Sequence, residues 1–186
     1  MTAFEYNVTR QWDEKRWRLA EPIYEQAFPA HGRKSREIIR RMFDRNLCQL
    51  HLIASGTETA GMALTGIDSK ENALIIDYIA VKETVRGQGI GRELLNRIKH
   101  WAKTEAGCKG IVIEAEAGPG EENNRRIRFW EANGFRLASY VHQYIWVPEP
   151  YRAMVHHFDD SNRLPEDGER LFRIITRFHQ KAYRRT

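Results

Sequence analysis

Val81-Lys-Glu-Thr-Val-Arg86-Gly87-Gln88-Gly89-Ile90-Gly91 is the stretch on which the fold turns. It follows an almost unbroken apolar run, residues 73–81 (ALIIDYIAV), which reads as a strand buried on both faces. It leads into a helical period marked by Leu94, Leu95, Ile98 and Ala102, with Gly107 as a C-cap. Strand, glycine loop and helix in that order make an anion cradle. Glycine lets the backbone approach a ligand closely and adopt φ values other residues avoid. Free N–H groups at the helix start then face a pyrophosphate. Arg86 and Arg92 add positive charge at the same end. The spacing of the glycines is wrong for the dinucleotide fingerprint, and the loop lacks the Gly-Lys-Ser/Thr ending of a nucleotide P-loop.

Upstream, residues 3–9 read as a short strand. Residues 13–28 place Trp17, Ala20, Ile23, Tyr24 and Ala27 at helical spacing, with Pro22 expected to kink the helix or start a new turn. Ser35 is placed to cap a second helix. Residues 47–54 and 60–67 flank a turn and read as a hairpin. Downstream, residues 110–117 form a strand and 122–133 a helix. Residues 135–140 and 142–147 read as two closing strands. Pro148 and Pro150 read as breaking the last strand. That leaves a tail with a polar loop (159–168) and an amphipathic helix striped by Leu171, Ile174, Ile175, Phe178 and Ala182. The expected organisation is a domain over 1–147 and a C-terminal extension over 148–186.

A second block completes the pattern: Asn123-Asn-Arg-Arg-Ile-Arg-Phe129-Trp130-Glu131-Ala-Asn-Gly134-Phe135. Together the two blocks resemble the GNAT acetyltransferases. The first is similar to that family's Arg/Gln-x-x-Gly-x-Gly/Ala motif after a strand. The second is similar to its Asn-x-x-x-x-x-Phe-Tyr-Glu-x-x-Gly-Phe. The resemblance covers roughly residues 3–147. It implies an α/β (α+β) fold with a central mixed, mostly antiparallel sheet flanked by helices. It also implies acetyl-CoA as co-substrate, with no metal. Backbone groups of Ile79, Ala80 and Val81 are then expected on the acetyl and pantetheine arm. The amides of Gly87, Gln88, Gly89, Ile90, Gly91 and Arg92, beside Arg86, are expected on the pyrophosphate. Asn123 falls on the pantetheine-contacting asparagine, and Arg126 and Arg128 on the same helix are expected within reach of coenzyme phosphates.

Two positions depart from the family. Trp130 stands where a Tyr commonly protonates the leaving thiolate, and an indole N–H is no acid of that strength. Tyr140 and Tyr144 are the replacement candidates. Arg126 stands where a small residue is frequent. The amine acceptor must lose a proton before attack. Glu114 and Glu116 share one face of a strand and are the candidate bases, with Asp77 a third.

The acidic patch of Glu114, Glu116, Glu121 and Glu122 suggests a small cationic amine acceptor. The net charge is +5, with basic stretches at 33–45 and 169–186. These leave a nucleic-acid-directed transferase, or one acting on a protein, open as alternatives. Trp130 in place of Tyr motivates a third reading, a non-catalytic coenzyme-binding module. His156-His157 reads as a surface pair. There is no apolar run near the roughly 20 residues of a membrane helix. The N-terminus carries no signal-peptide pattern. Cys48 and Cys108 are too far apart for a metal-ligand spacing, so a cytoplasmic protein with reduced thiols is expected. Homodimers are common in the family, and the terminal helix is expected to pack on the domain or on a second subunit.

Overall fold

The computed structural model describes residues 4–185. Residues 1–3, the start of the expected first strand and domain, lie outside them. The strands are β1 (Phe4–Thr9), β2 (Gln49–Ser55), β3 (Glu58–Asp68), β4 (Ala73–Val81), β5 (Gly110–Glu116), β6 (Arg136–Leu137), β7 (His142–Gln143) and β8 (Pro150–His157). The helices are α1 (Glu14–Ala27), α2 (Arg36–Asp44), α3 (Ile90–Thr104), α4 (Glu121–Ala132) and α5 (Gly168–Tyr183). The sheet order is β1-β2-β3-β4-β5-β8-β6, with β7 pairing β8. Only β4 and β5 pair in parallel among the registers described. This is the mixed, mostly antiparallel sheet with flanking helices that the sequence implies. Among the described residues, no helix is long and apolar enough to cross a membrane.

The chain divides into two compact units. Among the described residues, the first comprises 4–66, Ile76–Trp101 and 181–185. Here β1 pairs antiparallel with β2, from Phe4 opposite Ser55 to Thr9 opposite Leu50. The expected hairpin follows as β2 and β3, turned at Gly56 with φ +63°. Asp13 caps α1 by accepting from the amides of Lys15 and Arg16, and Ser35 caps α2 through the Ile38 amide. Pro22 does not end α1. It removes one N–H, but it is exposed, so water can reach the carbonyl one turn back.

A buried polar chain crosses this unit. Thr65 donates its one hydroxyl proton to Gln49 Oε1 at 3.0 Å. His51 Nε2, 2.8 Å from that same hydroxyl oxygen, must therefore be the donor there. Nδ1 is then the acceptor for the Tyr6 hydroxyl, at 2.7 Å. His51 is thus fixed as the neutral Nε2–H tautomer, with its ring edge-on to Trp101.

The second unit comprises Ile67–Ile75 and Ala102–Gln180. Ala73–Ile75 pair in parallel with Gly110–Val112. β5 then pairs along its whole length with β8, from Gly110 opposite His157 to Glu116 opposite Tyr151. Gly110 is required there, since a Cβ would lie 2.2 Å from the His156 carbonyl oxygen.

Three sequence expectations need correction. Pro148 and Pro150 do not end the sheet: residues 150–157 form β8 and supply a central strand. Pro150 is its first residue, where a missing N–H costs little, and its carbonyl accepts from Ala117 at 2.8 Å. The two expected closing strands shrink to the two-residue β6 and β7, and both pair with β8. His157 is no surface residue: its ring is largely covered, and its Nδ1 accepts from the Leu164 amide at 3.2 Å. Helix α5 follows with its expected stripe buried. It is pinned by a two-point bond from Arg177 to Asp68, at 2.9 and 2.8 Å.

Burial pushes the His51 imidazole down to about 3. Unfolded, it takes its proton near the usual value of about 6.5. Between those values the unfolded chain binds more protons, so stability falls as pH falls through this window. The expected loss is up to about 1.4 kcal/mol per pH unit. Urea midpoints measured from pH 7 to 4 should decline less steeply for His51→Gln than for the wild type. Parallel declines would contradict the assignment.

Candidate functional site

In the first unit, β4 delivers the chain to the glycine loop. The Lys82 amide donates to the Ala60 carbonyl at 2.8 Å and ties down the strand end. Gly61 on β3 permits the close approach, since a Cβ would lie 3.1 Å from the Ala80 carbonyl. Ile79 and Val81 are half-buried and Ala80 is buried. A 3-10 turn over Glu83–Val85 follows.

Gly87 and Gly89 then hold φ +78° and +79°. Nothing lies within 4 Å of where a Cβ would sit on either, so conformation rather than crowding selects glycine. The Gly89 carbonyl accepts the Glu93 amide at 3.0 Å and so begins α3. The amides of Ile90, Gly91 and Arg92 therefore have no carbonyl one turn back to pair with. They form, with the positive end of the helix dipole, a seat for an anion. Residues 86–89 and Arg92 are exposed. The Arg86 Nε donates to the Val81 carbonyl at 3.2 Å, so its exposed guanidinium is held at the strand end beside the loop.

Asp77, the third candidate base, is corrected. Its side chain is 3% exposed and pairs at 2.8 Å with Lys34, itself 1% exposed. Lys34 is enclosed further: its amide donates to the Tyr78 hydroxyl, and its carbonyl accepts from the Tyr24 hydroxyl. Burial, joined by the Asp77 charge, pushes the Tyr78 phenol up. A carboxylate so enclosed is structural.

The second unit gathers the remaining candidates. Glu116 lies opposite Tyr151 on β8, and Tyr151 lies opposite His142 on β7. Directly opposed residues share a sheet face, and Glu114 shares it by the period of two. Glu114 Oε2 accepts from the Tyr144 hydroxyl at 2.6 Å. Glu114 Oε1 lies 2.7 Å from His179 Nε2 on α5. Burial raises the Tyr151 phenol, and the charges of Glu114, Glu116 and Glu149 raise it further. The face is therefore anionic and lined by aromatic rings.

Asn123 donates from Nδ2 to the Gly118 carbonyl at 3.1 Å and to Glu116 Oε1 at 3.4 Å, near the start of α4. Tyr140 is only loosely engaged, 3.4 Å from His142 Nδ1. Trp130 is 9% exposed and packs edge-on against Phe129 and Phe135. Arg126 pairs with Glu122 at 2.6 Å, and Arg128 pairs with Glu121. The expected acidic patch thus reduces to Glu114 and Glu116, because Glu121 and Glu122 are neutralised on the exposed side of α4. His179 was not foreseen. It lies 65 residues from Glu114, and no local signal links the two.

The chain belongs to the GNAT acetyltransferase family, whose model matches residues 9–135. Solved structures with this fold include a GNAT-family protein from Bacteroides thetaiotaomicron, 21% identical with a TM-score of 0.72, covering 97% of this chain and 98% of that one. The ribosomal-protein-S18-alanine N-acetyltransferase from Escherichia coli is 18% identical with a TM-score of 0.62, covering 87% of this chain and 100% of that one. An acetyltransferase structure from Bacillus anthracis, in complex with acetyl coenzyme A, is 22% identical with a TM-score of 0.52, covering 61% of this chain and 64% of that one. No curated protein matches the chain.

Forcing a side chain onto φ near +79° costs about 1–2 kcal/mol. Gly89→Ala should weaken acetyl-CoA binding about tenfold by calorimetry, as the amides lose their arrangement. Gly107 is the control, with φ +66° and equally open surroundings. Gly107→Ala should cost similar stability and leave acetyl-CoA affinity unchanged. Equal affinities for the two variants would count against the loop as the coenzyme seat.

Proposed function

We propose that the protein transfers the acetyl group of acetyl-CoA to a primary amine, with a small cationic amine as acceptor. The loop carries this reading: Gly87 and Gly89 at positive φ, followed by the unpaired first amides of α3, suit a pyrophosphate. The backbone of Ile79, Ala80 and Val81 is the candidate partner of the acetyl carbonyl and pantetheine arm. Asn123, Arg126 and Trp130 are further candidate coenzyme contacts.

On the acceptor side, the amine arrives as an ammonium. Glu114 takes one proton, and the nitrogen lone pair is freed. That nitrogen attacks the thioester carbonyl, the C–N bond forms, the C–S bond breaks, and the second nitrogen proton passes to the departing thiolate, giving the N-acetylated amine and coenzyme A. Glu116 and Glu149 add negative potential that favours a cation. No Tyr is needed at position 130 for departure, because an ordinary thiol has a pKa of about 8.5 and its thiolate leaves readily. The Tyr144 hydroxyl donates a hydrogen bond to Glu114, so Tyr144 and Glu114 act as one unit.

Within 33–45 the charge arrangement does not favour nucleic acid. Each of the basic residues in 33–45 is engaged within the chain. Arg33 bonds Glu25, Lys34 bonds Asp77, Arg36 bonds Glu14 and Glu21, and Arg41 bonds Glu37. Arg40 lies over Trp12, and Arg45 donates to the Lys181 and Arg184 carbonyls. A second reading, a peptide acceptor, has one observation behind it. Ile145 and Trp146 are 97% and 78% exposed, and Trp146 stacks on Tyr144. An apolar surface of this kind suits a neighbouring peptide side chain.

Thiol release from acetyl-CoA, measured across spermidine, an aminoglycoside, lysine, a short peptide and a neutral arylamine, tests both. Cationic small amines should be turned over fastest. Glu114→Gln should lower the rate by about 10²-fold or more, the usual share of a positioned base. Faster turnover of the neutral amine would reject the cationic acceptor, and peptide-only turnover would establish the second reading.

A further inference from the structure

Helix α5 lies beyond the residues that the family model matches, yet it reaches Glu114. Both oxygens of that carboxylate are occupied, Oε2 by Tyr144 and Oε1 by His179. An ionised carboxylate only accepts hydrogen bonds, so His179 must carry its proton on Nε2. The Glu114 side chain is about one-quarter exposed, and the two donors together set the plane of its terminal group.

The same helix also supports the other donor. Phe172 lies seven residues before His179, two turns along one face of α5. Its ring stacks on His142, with centroids 4.3 Å apart and planes at 15°. His142 in turn meets the Tyr144 ring edge-on at 4.5 Å. One helix face therefore supplies the Oε1 donor directly and braces the Oε2 donor through two rings. The helix is itself fixed by Arg177 on Asp68 and by Gly168, whose Cβ would lie 2.6 Å from Tyr140 Cβ.

We propose that His179 is a positioning residue for acetyl transfer, holding the Glu114 carboxylate in the orientation that takes the acceptor's proton. This rests on Glu114 as the base. Without His179, Oε1 loses its donor and the carboxylate turns about its broad terminal torsion. The resemblance block at 123–135 plays no part in this arrangement. The C-terminal helix is thereby part of the chemistry of this chain.

The test uses the full chain, acetyl-CoA and the fastest amine of the panel. His179→Ala should lower kcat about tenfold or more, with the KM for acetyl-CoA changed less than about twofold. His179→Gln, whose amide N–H also donates, should recover most of the loss. A proton NMR spectrum without any acceptor should show a slowly exchanging His179 Nε2–H resonance that disappears in Glu114→Ala. The proposal is overturned by wild-type turnover in His179→Ala, by His179→Gln as slow as His179→Ala, or by a resonance indifferent to Glu114→Ala. Full turnover in Glu114→Gln would instead sink Glu114 as the base. A dead Glu114→Gln beside a fully active His179→Ala would sink only the role of His179.

Discussion

The seven-residue antiparallel ladder between β5 and β8 is the constraint from which the acceptor-side chemistry follows. It sets Glu116 against Tyr151 and leaves Glu114 on the same face. It also carries the short β7, and with it His142 and the loop that brings Tyr144 to Glu114. A register slip of one residue would turn all of these side chains to the opposite face. Gly110, pressed against the His156 carbonyl, guards that register, because no other residue fits at the start of the ladder.

The glycine loop is governed differently. Its two glycines at positive φ meet no neighbouring atom within 4 Å, so their selection is a matter of backbone conformation alone. Local constraints of this kind are legible in a sequence. Val81 to Gly91 could be read as strand, cradle and helix because every requirement lies within a few residues. The same holds for the caps at Asp13 and Ser35 and for the stripe of α5.

What escaped the sequence depends on distant partners. Pro148 and Pro150 are local breakers, and only the pairing of β8 with β5 shows that Pro150 opens a strand. Asp77 looks like any strand carboxylate until Lys34, 43 residues away, closes over it. Glu121 and Glu122 are the local exception: they look like an acidic patch until Arg128 and Arg126 on the same helix take them up. His179 looks like one more polar position on a terminal helix until the fold sets it on Glu114. Many of the charges form ion pairs within the chain, while Glu114 and Glu116 accept from Tyr144, His179 and Asn123 on a face shared with aromatic rings. Near-surface pairs such as those on α4 add little to stability, so their main effect is on which potential an incoming amine meets.

The proposed acetyl transfer depends on where acetyl-CoA binds. Backbone amide chemical shifts recorded during an acetyl-CoA titration test that most directly. The predicted result is saturable binding with the largest shifts at Gly87, Gly89, Ile90, Gly91 and Arg92. Saturable binding that leaves those amides unmoved, or no binding at all, would contradict it.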